Sequence, residues 1–241
     1  MDKTTKQNIK YYDAEATAYD ENRYITPRGQ ALEALQKGVI INYLAELEPN
    51  ANVLELGCGT GRFLPFMSRR GYRMTGIDIS EGMLRQARLR LEAEGDGTTR
   101  VMTGNACALD FDDGSFDAVF SILVVNLIPD YRKAFGEVAR ILQPGAIFVL
   151  SVPNLSSIYF PAGLYVNLRK RTTTSNQAGF RYSHWFSRYE ILRSLRQAGF
   201  SIEQVKGQPP FLKAQSPASP LSTPIIRWLL AKSVYIKARR I

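Results

Sequence analysis

Three glycines occupy alternate positions directly after a short apolar run that contains an acid. The segment reads Val-Leu-Glu-Leu-Gly-Cys-Gly-Thr-Gly-Arg-Phe over residues 53–63. Glycine tolerates positive φ and has no side chain, so such a turn brings its backbone close to a ligand. A helix-like pattern follows, and the start of a helix presents free N–H groups to that ligand. The pattern therefore predicts a strand, a ligand-binding turn and a helix, an arrangement that holds nucleotide-type ligands.

The spacing of the glycines and the position of the acid narrow the choice of ligand. A dinucleotide site has the pattern G-x-G-x-x-G, and Arg62 occupies the place of its third glycine here. The charge of Glu55 repels a phosphate and attracts an amino group. Both features argue against a dinucleotide. A second acid, Asp78, ends the next predicted strand, where a carboxylate accepts hydrogen bonds from the two hydroxyls of a ribose.

Hydrophobic periodicity predicts the elements that must position these residues. Strands are predicted at 52–56, 73–78, 100–104, 116–121, 146–152 and 200–206, and helices at 28–47, 61–70, 80–94, 130–142 and 187–198. Ser80 is the predicted N-cap of one helix, while Ser187 and Glu190 form a capping box for another. Alternating strands and helices with short loops predict an α/β fold, in which helices cover both faces of a parallel sheet.

The chain is predicted to form one domain, 1–241, with four parts. N-terminal lid helices occupy 1–48, a cofactor-binding core 49–153, an inserted substrate cap 154–186, and a C-terminal helix and strands 187–241. Within the last part, 207–220 is predicted as a loop, 224–231 as a short helix and 233–239 as a final edge strand whose cations discourage edge pairing. The alternative for this tail is a basic amphipathic helix that binds a membrane surface.

Composition bounds the class of protein. The chain has 241 residues, a net charge of +9 and two cysteines, Cys58 and Cys107. Without an apolar run of about 18 residues or a signal-peptide core, we expect a cytoplasmic protein with no spanning helix and no disulfide framework. With His184 as the only histidine, we expect no metal site. The positive charge attracts anionic partners or gives a basic surface, and identifies neither.

Several segments in order resemble the class I S-adenosylmethionine-dependent methyltransferases. Val53–Phe63 resembles the first motif of that family, and 76–80 resembles the second. Residues 104–111, 116–121 and 144–151 are similar to its third, fourth and fifth strand segments. The opening tyrosines and aspartates, at 11–13 and 19–20, resemble the lid helix of its small-molecule branch, which includes quinone-biosynthesis enzymes. The resemblance implies a Rossmann-like, seven-stranded, mostly parallel sheet with helices on both faces.

The resemblance also implies roles for individual residues. S-adenosyl-L-methionine is the implied cofactor and S-adenosyl-L-homocysteine its product. Glu55, Gly57, Cys58, Gly59 and Gly61 would cradle the amino-acid part of the cofactor, and Asp78 would hold the ribose. The remaining implied contacts are Ile79, Met83, Asn105 and Ala106 around the adenine, and Ser121 and Leu123 near the sulfonium. Tyr12, Tyr19 and Arg23 are candidates to close over the cofactor carboxylate, and the alternative for the tyrosines is an amphipathic helix that packs aromatic rings on the core. Asn105 stands where the family usually has an acid, and its amide oxygen can accept the same hydrogen bond.

The acceptor is predicted to be a small, apolar or aromatic molecule, methylated on oxygen, nitrogen or carbon. His184 is the candidate general base for a protonated nucleophile, and the alternative is a structural role beside a helix cap. The candidate substrate contacts are Asn126, Tyr159, Tyr182 and Trp185, and the alternative for the three aromatic residues is a small core within the cap itself. Other functions stay open: an RNA methyltransferase, a membrane-surface lipid or quinone methyltransferase that uses the basic tail, and a non-catalytic cofactor-binding protein. Nucleic acid is the less expected partner, because no RNA-binding module follows the fourth strand.

Overall fold

The computed structural model describes residues 1–157, 182–208 and 231–241. Its centre is a seven-stranded sheet in the order β3-β2-β1-β4-β5-β7-β6. The strands are β1 (Asn52–Leu56), β2 (Arg73–Asp78), β3 (Arg100–Thr103), β4 (Phe116–Ile122), β5 (Leu142–Pro153), β6 (Phe200–Gly207) and β7 (Ser233–Arg240). β1 to β5 pair in parallel, whereas β7 is antiparallel to both β5 and β6. The predicted fold class, a mostly parallel Rossmann-like sheet, is confirmed.

The strand at the carboxyl end of the chain has a different place from the predicted one. β7 lies between β5 and β6, so the prediction of an edge strand is wrong. Its cations are consequently not a guard on an open edge. Lys237 is 8% exposed and forms ion pairs with Glu46 and Glu203, while the Arg240 guanidinium donates to the carbonyl of Ala139. The alternation of apolar and basic residues in β7 does not predict these ion pairs, because their acids, Glu46 and Glu203, lie in other parts of the chain.

Seven α-helices surround the sheet within the described residues. They are α1 (Lys3–Glu15), α2 (Tyr19–Tyr24), α3 (Pro27–Leu44), α4 (Leu64–Ser68), α5 (Glu81–Ala93), α6 (Tyr131–Ile141) and α7 (Arg188–Gln197). Ser80 caps α5 as predicted, because its side chain accepts the N–H of Met83. α4 is shorter than the predicted 61–70. Gly61 has a φ of +74°, a left-handed conformation that cannot belong to a right-handed helix.

The apolar residues of the strands pack into cores on the two faces of the sheet. Val53, Ala118 and Phe120 pack with α3 and α4 on one face, and Leu54, Val119 and Phe148 pack with α6 and α7 on the other. Strands that are buried on both faces are continuous apolar runs, and for this reason the sequence predicts β1, β4 and β5 as strands. None of the described helices is long and apolar enough to cross a membrane.

Three polar side chains of the N-terminal segment attach it to the core. Asn8 of α1 donates to the carbonyl of Leu127 at 3.0 Å and accepts the N–H of Tyr182. Asp13 accepts both the Ser80 hydroxyl, at 2.6 Å, and the N–H of Gly82, so it adds a second cap to α5. Asp20 accepts the Thr60 hydroxyl at 2.8 Å and pairs with Arg90. The N-terminal helices are thereby fixed beside the glycine turn and the start of α5.

The predicted capping box at the start of α7 is only half formed. Ser187 accepts the N–H of Glu190, as expected. The Glu190 carboxylate does not return to the helix end. It accepts the hydroxyl of Tyr131 at 2.8 Å and lies 2.9 Å from Nε2 of His184. Contacts with α6 and with the preceding segment are available to it because α6 and α7 are neighbours, which a local sequence pattern does not reveal.

Parts of the predicted cap and tail lie outside the described residues. This concerns 158–181 of the cap, with Tyr159, and 209–230 of the tail, with most of the predicted helix 224–231. The two described ends of the cap meet. Asn154 and Phe186 form a parallel bridge, and the N–H of Leu155 donates to the carbonyl of Phe186 at 2.9 Å. The division of the chain into lid, core, cap and C-terminal part stays a prediction.

Candidate functional site

A cavity of about 370 Å³ lies at the carboxyl ends of β1, β2 and β4. In open parallel sheets ligands bind at this edge, where the strand order reverses. β1 is such a point here, because β2 follows it on one side and β4 on the other. The N-terminal helices complete the wall with Thr5, Asn8, Tyr12, Tyr19 and Tyr24. The cavity is therefore built jointly by the sheet edge and the segment that precedes the sheet in the chain.

The glycine turn forms one wall of this cavity, and its glycines meet different needs. All three adopt positive φ, at +77°, +54° and +74°. A Cβ on Gly57 would lie 2.4 Å from Val124, and one on Gly61 would lie 3.1 Å from Ala87 of α5. A Cβ on Gly59 would meet no protein atom within 4 Å. Packing therefore requires Gly57 and Gly61, whereas Gly59 leaves open space on the cavity wall.

Asp78 lies beside this turn at the end of β2. One carboxylate oxygen accepts the N–H of Gly59 and the other accepts the N–H of Ser80, both at 2.9 Å. Burial raises the pKa of Asp78, and the two N–H groups act in the opposite direction. Each oxygen keeps a further lone pair. The two N–H groups thus fix the Asp78 carboxylate. Because Asp78 lines the cavity, its remaining lone pairs can accept hydrogen bonds from a ligand bound there.

A further group of lining residues follows Asp78 and β3 in the chain. Ile79, Met83 and Ala106 line it together with Asn105. The side-chain oxygen of Asn105 accepts the N–H of Cys107 at 3.0 Å, which fixes the amide in place. An amide oxygen accepts two hydrogen bonds, so this contact leaves room for one from a ligand. The apolar side chains of Ile79 and Met83, together with an amide acceptor, suit a planar base with an exocyclic amino group.

The cavity lining also contains buried polar atoms that have no hydrogen-bond partner among the described residues. Glu55 is 2% exposed, and its Oε2 has no hydrogen-bond partner among the described residues. Burial raises the pKa of Glu55 well above its ordinary value, and nearby Arg62 acts against that rise. Nη1 of Arg62 and Oε1 of Gln36 are buried and equally without a partner in the described part of the chain. All three residues line the cavity.

Most of the residues implied by the resemblance come together at this cavity. Those that line it are Tyr12, Tyr19, Glu55, Gly57, Cys58, Gly59, Asp78, Ile79, Met83, Asn105, Ala106 and Leu123. Leu123 has a φ of +58°, and its N–H donates to both the carbonyl and the hydroxyl of Ser151. This left-handed turn at the end of β4 directs the chain along the cavity wall. A non-glycine residue in this conformation is uncommon and marks a constrained site.

Other predicted site residues lie away from the cavity lining. Arg23 stacks on Tyr19, 4.0 Å from the ring centroid, and pairs with Glu15. Gly61 faces α5, and the Ser121 hydroxyl is fully buried and donates to the carbonyl of Leu56 at 3.0 Å. The remaining ones are Asn126, Tyr182, His184 and Trp185. Side-chain direction at a strand end or in a short helix depends on tertiary packing, so the motif positions alone did not resolve it.

His184 belongs to a compact aromatic group beside the start of α7. Its ring stacks on Tyr131, with centroids 5.8 Å apart, and meets the edge of Phe186 at 4.5 Å. Its Nε2 contacts the Glu190 carboxylate. The backbone N–H of His184 donates to the carbonyl of Asn126 at 2.7 Å. The Asn126 amide donates to the hydroxyl of Ser183 at 3.0 Å. These contacts match the structural alternative for His184, and they join the segment after β4 to the segment before α7.

Sequence reasoning did not assign a role to Gln36, Tyr24 or Arg62, which the structure places at the cavity. Arg62 directly follows the glycine turn, so its position was a usable signal. Gln36 lies in the middle of the apolar pattern of α3, and a polar residue that is 1% exposed on such a face is also a signal. No local pattern marks Tyr24, because its place depends on how α2 packs.

The strand order, the glycine turn after β1 and the acid at the end of β2 define a Rossmann-like protein with a nucleotide-type cofactor site. A family described as a methyltransferase domain matches residues 54–150. A ubiquinone biosynthesis O-methyltransferase from Alkalilimnicola ehrlichii is 33% identical over 159 residues, 63% of each chain. The corresponding protein of Xanthomonas axonopodis pv. citri is 31% identical over 165 residues, 68% of each chain.

A solved S-adenosylmethionine-dependent methyltransferase from Methanosarcina mazei has the same fold. The TM-score is 0.65 at 22% identity, and the match covers 84% of this chain and 97% of that one. The chain thus spans slightly less than two thirds of its Alkalilimnicola relative and nearly all of this structural neighbour. The chain belongs to the class I S-adenosylmethionine-dependent methyltransferases, and S-adenosylmethionine is its cofactor.

The residues of the cavity fit this cofactor. The space beyond Gly59 admits a ligand close to the backbone, and Asp78 retains acceptor capacity for ribose hydroxyls. Within the described residues Glu55 and Arg62 offer an acceptor and a donor without hydrogen-bond partners, and the cofactor carries an ammonium and a carboxylate. The chemistry of this donor set agrees with a zwitterionic nucleoside and would not suit a pyrophosphate.

Proposed function

We propose that this protein transfers a methyl group from S-adenosylmethionine to a small apolar or aromatic molecule. The observation that supports the proposal is the composition of the cavity wall beyond the cofactor residues. Leu123, Val124, Leu127, Ile128 and Pro129, in and after the left-handed turn, form an apolar stretch of lining. When bound, the cofactor supplies a methyl group that its sulfonium already activates. The task left to the protein is to bind and align the acceptor.

The roles proposed for the protein groups follow from their positions. Asp78 would hold the ribose hydroxyls, Asn105 would accept a hydrogen bond from the adenine amino group, and Ile79 and Met83 would pack on the ring. Tyr12 and Tyr19, from α1 and α2, would cover the cofactor and exclude water. Their rings lie 6.2 Å apart and both line the cavity.

The acceptor atom is proposed to be a ring hydroxyl oxygen. Two relatives act in ubiquinone biosynthesis as O-methyltransferases, by their names, and together with the apolar wall they favour a quinol-like or phenolic acceptor. A phenol must lose its proton during transfer. His184 remains the candidate base, although in the described residues its ring contacts Glu190 rather than the cavity. In the alternative, His184 has a structural role and positions the segment 182–186.

A panel of acceptors tested with a methyl-labelled cofactor would test the proposal. The panel should contain catechols and quinols with short and long apolar tails, primary amines and a bulk RNA preparation. We expect label transfer to the catechols or quinols, increasing with tail length, and loss of transfer in Asp78→Ala. Transfer to RNA alone, or to no acceptor despite cofactor binding, would contradict it. His184→Ala with near-wild-type turnover would exclude the general-base role.

A further inference from the structure

A closed group of three residues, the Asp20 triad, joins α2, the glycine turn and α5. The hydroxyl of Thr60, in the glycine turn, donates to Oδ1 of Asp20 at 2.8 Å. Nε of Arg90 donates to the carbonyl of Thr60 at 3.0 Å, and the Arg90 guanidinium pairs with the other carboxylate oxygen of Asp20. Thr60 is 3% exposed and lines the cavity. One residue of the cavity wall is thus held at both its side chain and its backbone.

The triad connects segments that are distant in the chain. Asp20 lies in the first turn of α2, and Arg90 lies in the last turn of α5. α2 also carries Tyr19 and Tyr24, and both of these residues line the cavity. While the triad is closed, the position of α2 and the geometry of the glycine turn cannot change independently.

The two neighbours of Thr60 explain why its position matters to a ligand. The N–H of Gly59 donates to the Asp78 carboxylate at 2.9 Å. Gly61 packs so closely on α5 that a Cβ would lie 3.1 Å from Ala87. A displacement of Thr60 would therefore move the backbone that holds Asp78 and the backbone that packs on α5. The triad acts on the same part of the wall that retains acceptor capacity for a ligand.

A second triad has the same composition in another place. Glu81 accepts the hydroxyl of Thr103 at 3.0 Å and pairs with Arg88 at 2.6 Å. It joins α5 to β3, and in the described part of the chain none of its three residues lines the cavity. An acid, an arginine and a threonine are therefore not by themselves linked to the ligand. The difference between the two triads is their location, and the Glu81 triad serves as a matched control.

Attachment of the N-terminal segment does not depend on the Asp20 triad alone. Asn8 donates to the carbonyl of Leu127, and Asp13 accepts the Ser80 hydroxyl. These two contacts lie on α1, ahead of α2 in the chain, and they involve no residue of the glycine turn. A variant that opens the Asp20 triad should consequently keep α1 on the core, so the role of the triad can be measured in a folded protein.

We propose that Asp20 and Arg90 are positioning residues that act through Thr60 and couple the docking of α2 to cofactor binding. A bound cofactor then stabilises the docked α2, and the docked α2 slows dissociation of the cofactor by the same free energy, since such a coupling is reciprocal. The proposal goes beyond the proposed function, because it concerns retention of the cofactor and does not depend on the acceptor.

Dissociation of S-adenosylhomocysteine, measured by stopped flow, tests the coupling. We expect its rate constant to rise about tenfold in Thr60→Val, Asp20→Ala and Arg90→Met, because each change opens the triad. Thr60→Ser keeps the hydroxyl and should stay within twofold of the wild type. Arg88→Met and Thr103→Val, the matched changes in the Glu81 triad, should also stay within twofold. Adding Thr60→Val to Asp20→Ala should have no further effect, since the two residues act as one unit.

Hydrogen exchange of the backbone of 19–24 separates coupling from a purely structural anchor. S-adenosylhomocysteine should slow this exchange in the wild type and not in Thr60→Val. A triad that only anchors α2 would leave the dissociation rate unchanged and raise the exchange equally with and without ligand, which would overturn the proposal. Equal acceleration of dissociation by Arg88→Met would do the same.

Further outcomes distinguish this proposal from the other assignments. Thermal unfolding identifies any variant that fails to fold, and in that case the comparison of Thr60→Ser with Thr60→Val decides the matter. A wild-type protein that does not bind S-adenosylhomocysteine would overturn both the cofactor assignment and the coupling. A failure of every acceptor in the panel, with binding of S-adenosylhomocysteine intact and slowed exchange of 19–24, would contradict the proposed function and support the coupling.

Discussion

Two clusters of charged residues in this protein differ in whether their charges are paired. At the carboxyl end of β1, Glu55 and Arg62 line the cavity, and each has a buried side-chain atom without a hydrogen-bond partner in the described part of the chain. Across the sheet, the Lys237 side chain of β7 is 10% exposed and pairs with Glu46 at 2.6 Å and Glu203 at 3.3 Å. Arg239 pairs with the same two acids. The cluster on β7 completes its own hydrogen bonds, while the cluster at β1 requires a ligand.

This difference separates stability from function in physical terms. Removing one partner from a buried pair destabilises a protein because it leaves the other charge unpaired. An unpaired buried charge already bears that cost, so the folded state is less stable than it would be with a neutral replacement. Functional sites often retain such strain, since the ligand repays it on binding. The cluster on β7 therefore has the character of a structural clamp, and the cluster at β1 that of a binding site.

Asp78 gives the largest expected effect, because it is both paired with the backbone and directed at the cavity. 5′-Methylthioadenosine has the same thioether nucleoside as S-adenosylhomocysteine without its amino-acid end. Asp78→Ala should weaken S-adenosylhomocysteine and methylthioadenosine alike by about 100-fold, or about 2.7 kcal/mol, since both contain the ribose. Calorimetry measures both affinities. Asp78→Asn keeps one acceptor oxygen, so we expect it to reduce both affinities less than Asp78→Ala does. If only S-adenosylhomocysteine were weakened, Asp78 would act on the amino-acid end and the ribose assignment would be wrong.

Lys237 should have the next largest effect, and on stability alone. Lys237→Met removes the cation from between Glu46 and Glu203, and we expect the free energy of unfolding to fall by about 2 kcal/mol. The value is below that of a fully buried pair because the Glu46 side chain is 48% exposed. Denaturant unfolding gives the stability, and calorimetry should give an unchanged affinity for S-adenosylhomocysteine. A loss of affinity without a loss of stability would remove the contrast between the two clusters.

The pH dependence of stability should be the smallest effect, with opposite signs in the two clusters. Burial raises the pKa of Glu55 in the folded state, so the folded protein binds more protons than the unfolded one above pH 4.5. Its contribution to stability therefore falls as pH rises from 4.5 toward the folded pKa. Hydrogen bonds from Lys237 and Arg239 lower the pKa of Glu46. That contribution is present above pH 4.5 and is lost as pH falls through the lowered pKa.

Denaturant unfolding across this pH range checks both signs. Glu55→Gln should be more stable than the wild type at neutral pH, by about 1 kcal/mol, and the difference should shrink as pH approaches 4.5. Glu46→Gln should be less stable at neutral pH, with a difference that shrinks in acid. A Glu55→Gln variant less stable than the wild type at neutral pH would mean that Glu55 is paired in the free protein.

Local sequence patterns predicted the parallel half of the sheet well. The bounds of β1 and β2 were predicted to the residue, and those of β3 and β4 to within one residue, whereas β5 begins at Leu142, ahead of the predicted start at residue 146. The bounds of the antiparallel strand β6 were also predicted to within one residue. β1 and β2 are short runs with mostly buried residues, and they end before Gly57 and at Asp78, which are local signals for the end of a strand. The predicted place of β7 was wrong, because a strand that alternates apolar and basic residues is also compatible with the edge of a sheet. Only its pairing with β5 and β6, together with Glu46 and Glu203, shows that it is internal.

By itself the sequence determined the fold class, the position of the glycine turn and the type of cofactor. Glycine spacing and acids at strand ends act through the backbone, and backbone constraints are local. The tertiary structure decided which side chains face the ligand. The Ser121 hydroxyl donates to the carbonyl of Leu56, His184 contacts Glu190, and Arg23 pairs with Glu15. Nη1 of Arg62 has no hydrogen-bond partner among the residues that the structure describes. Whether a charge is paired depends on partners far away in the chain, and no local pattern contains that information.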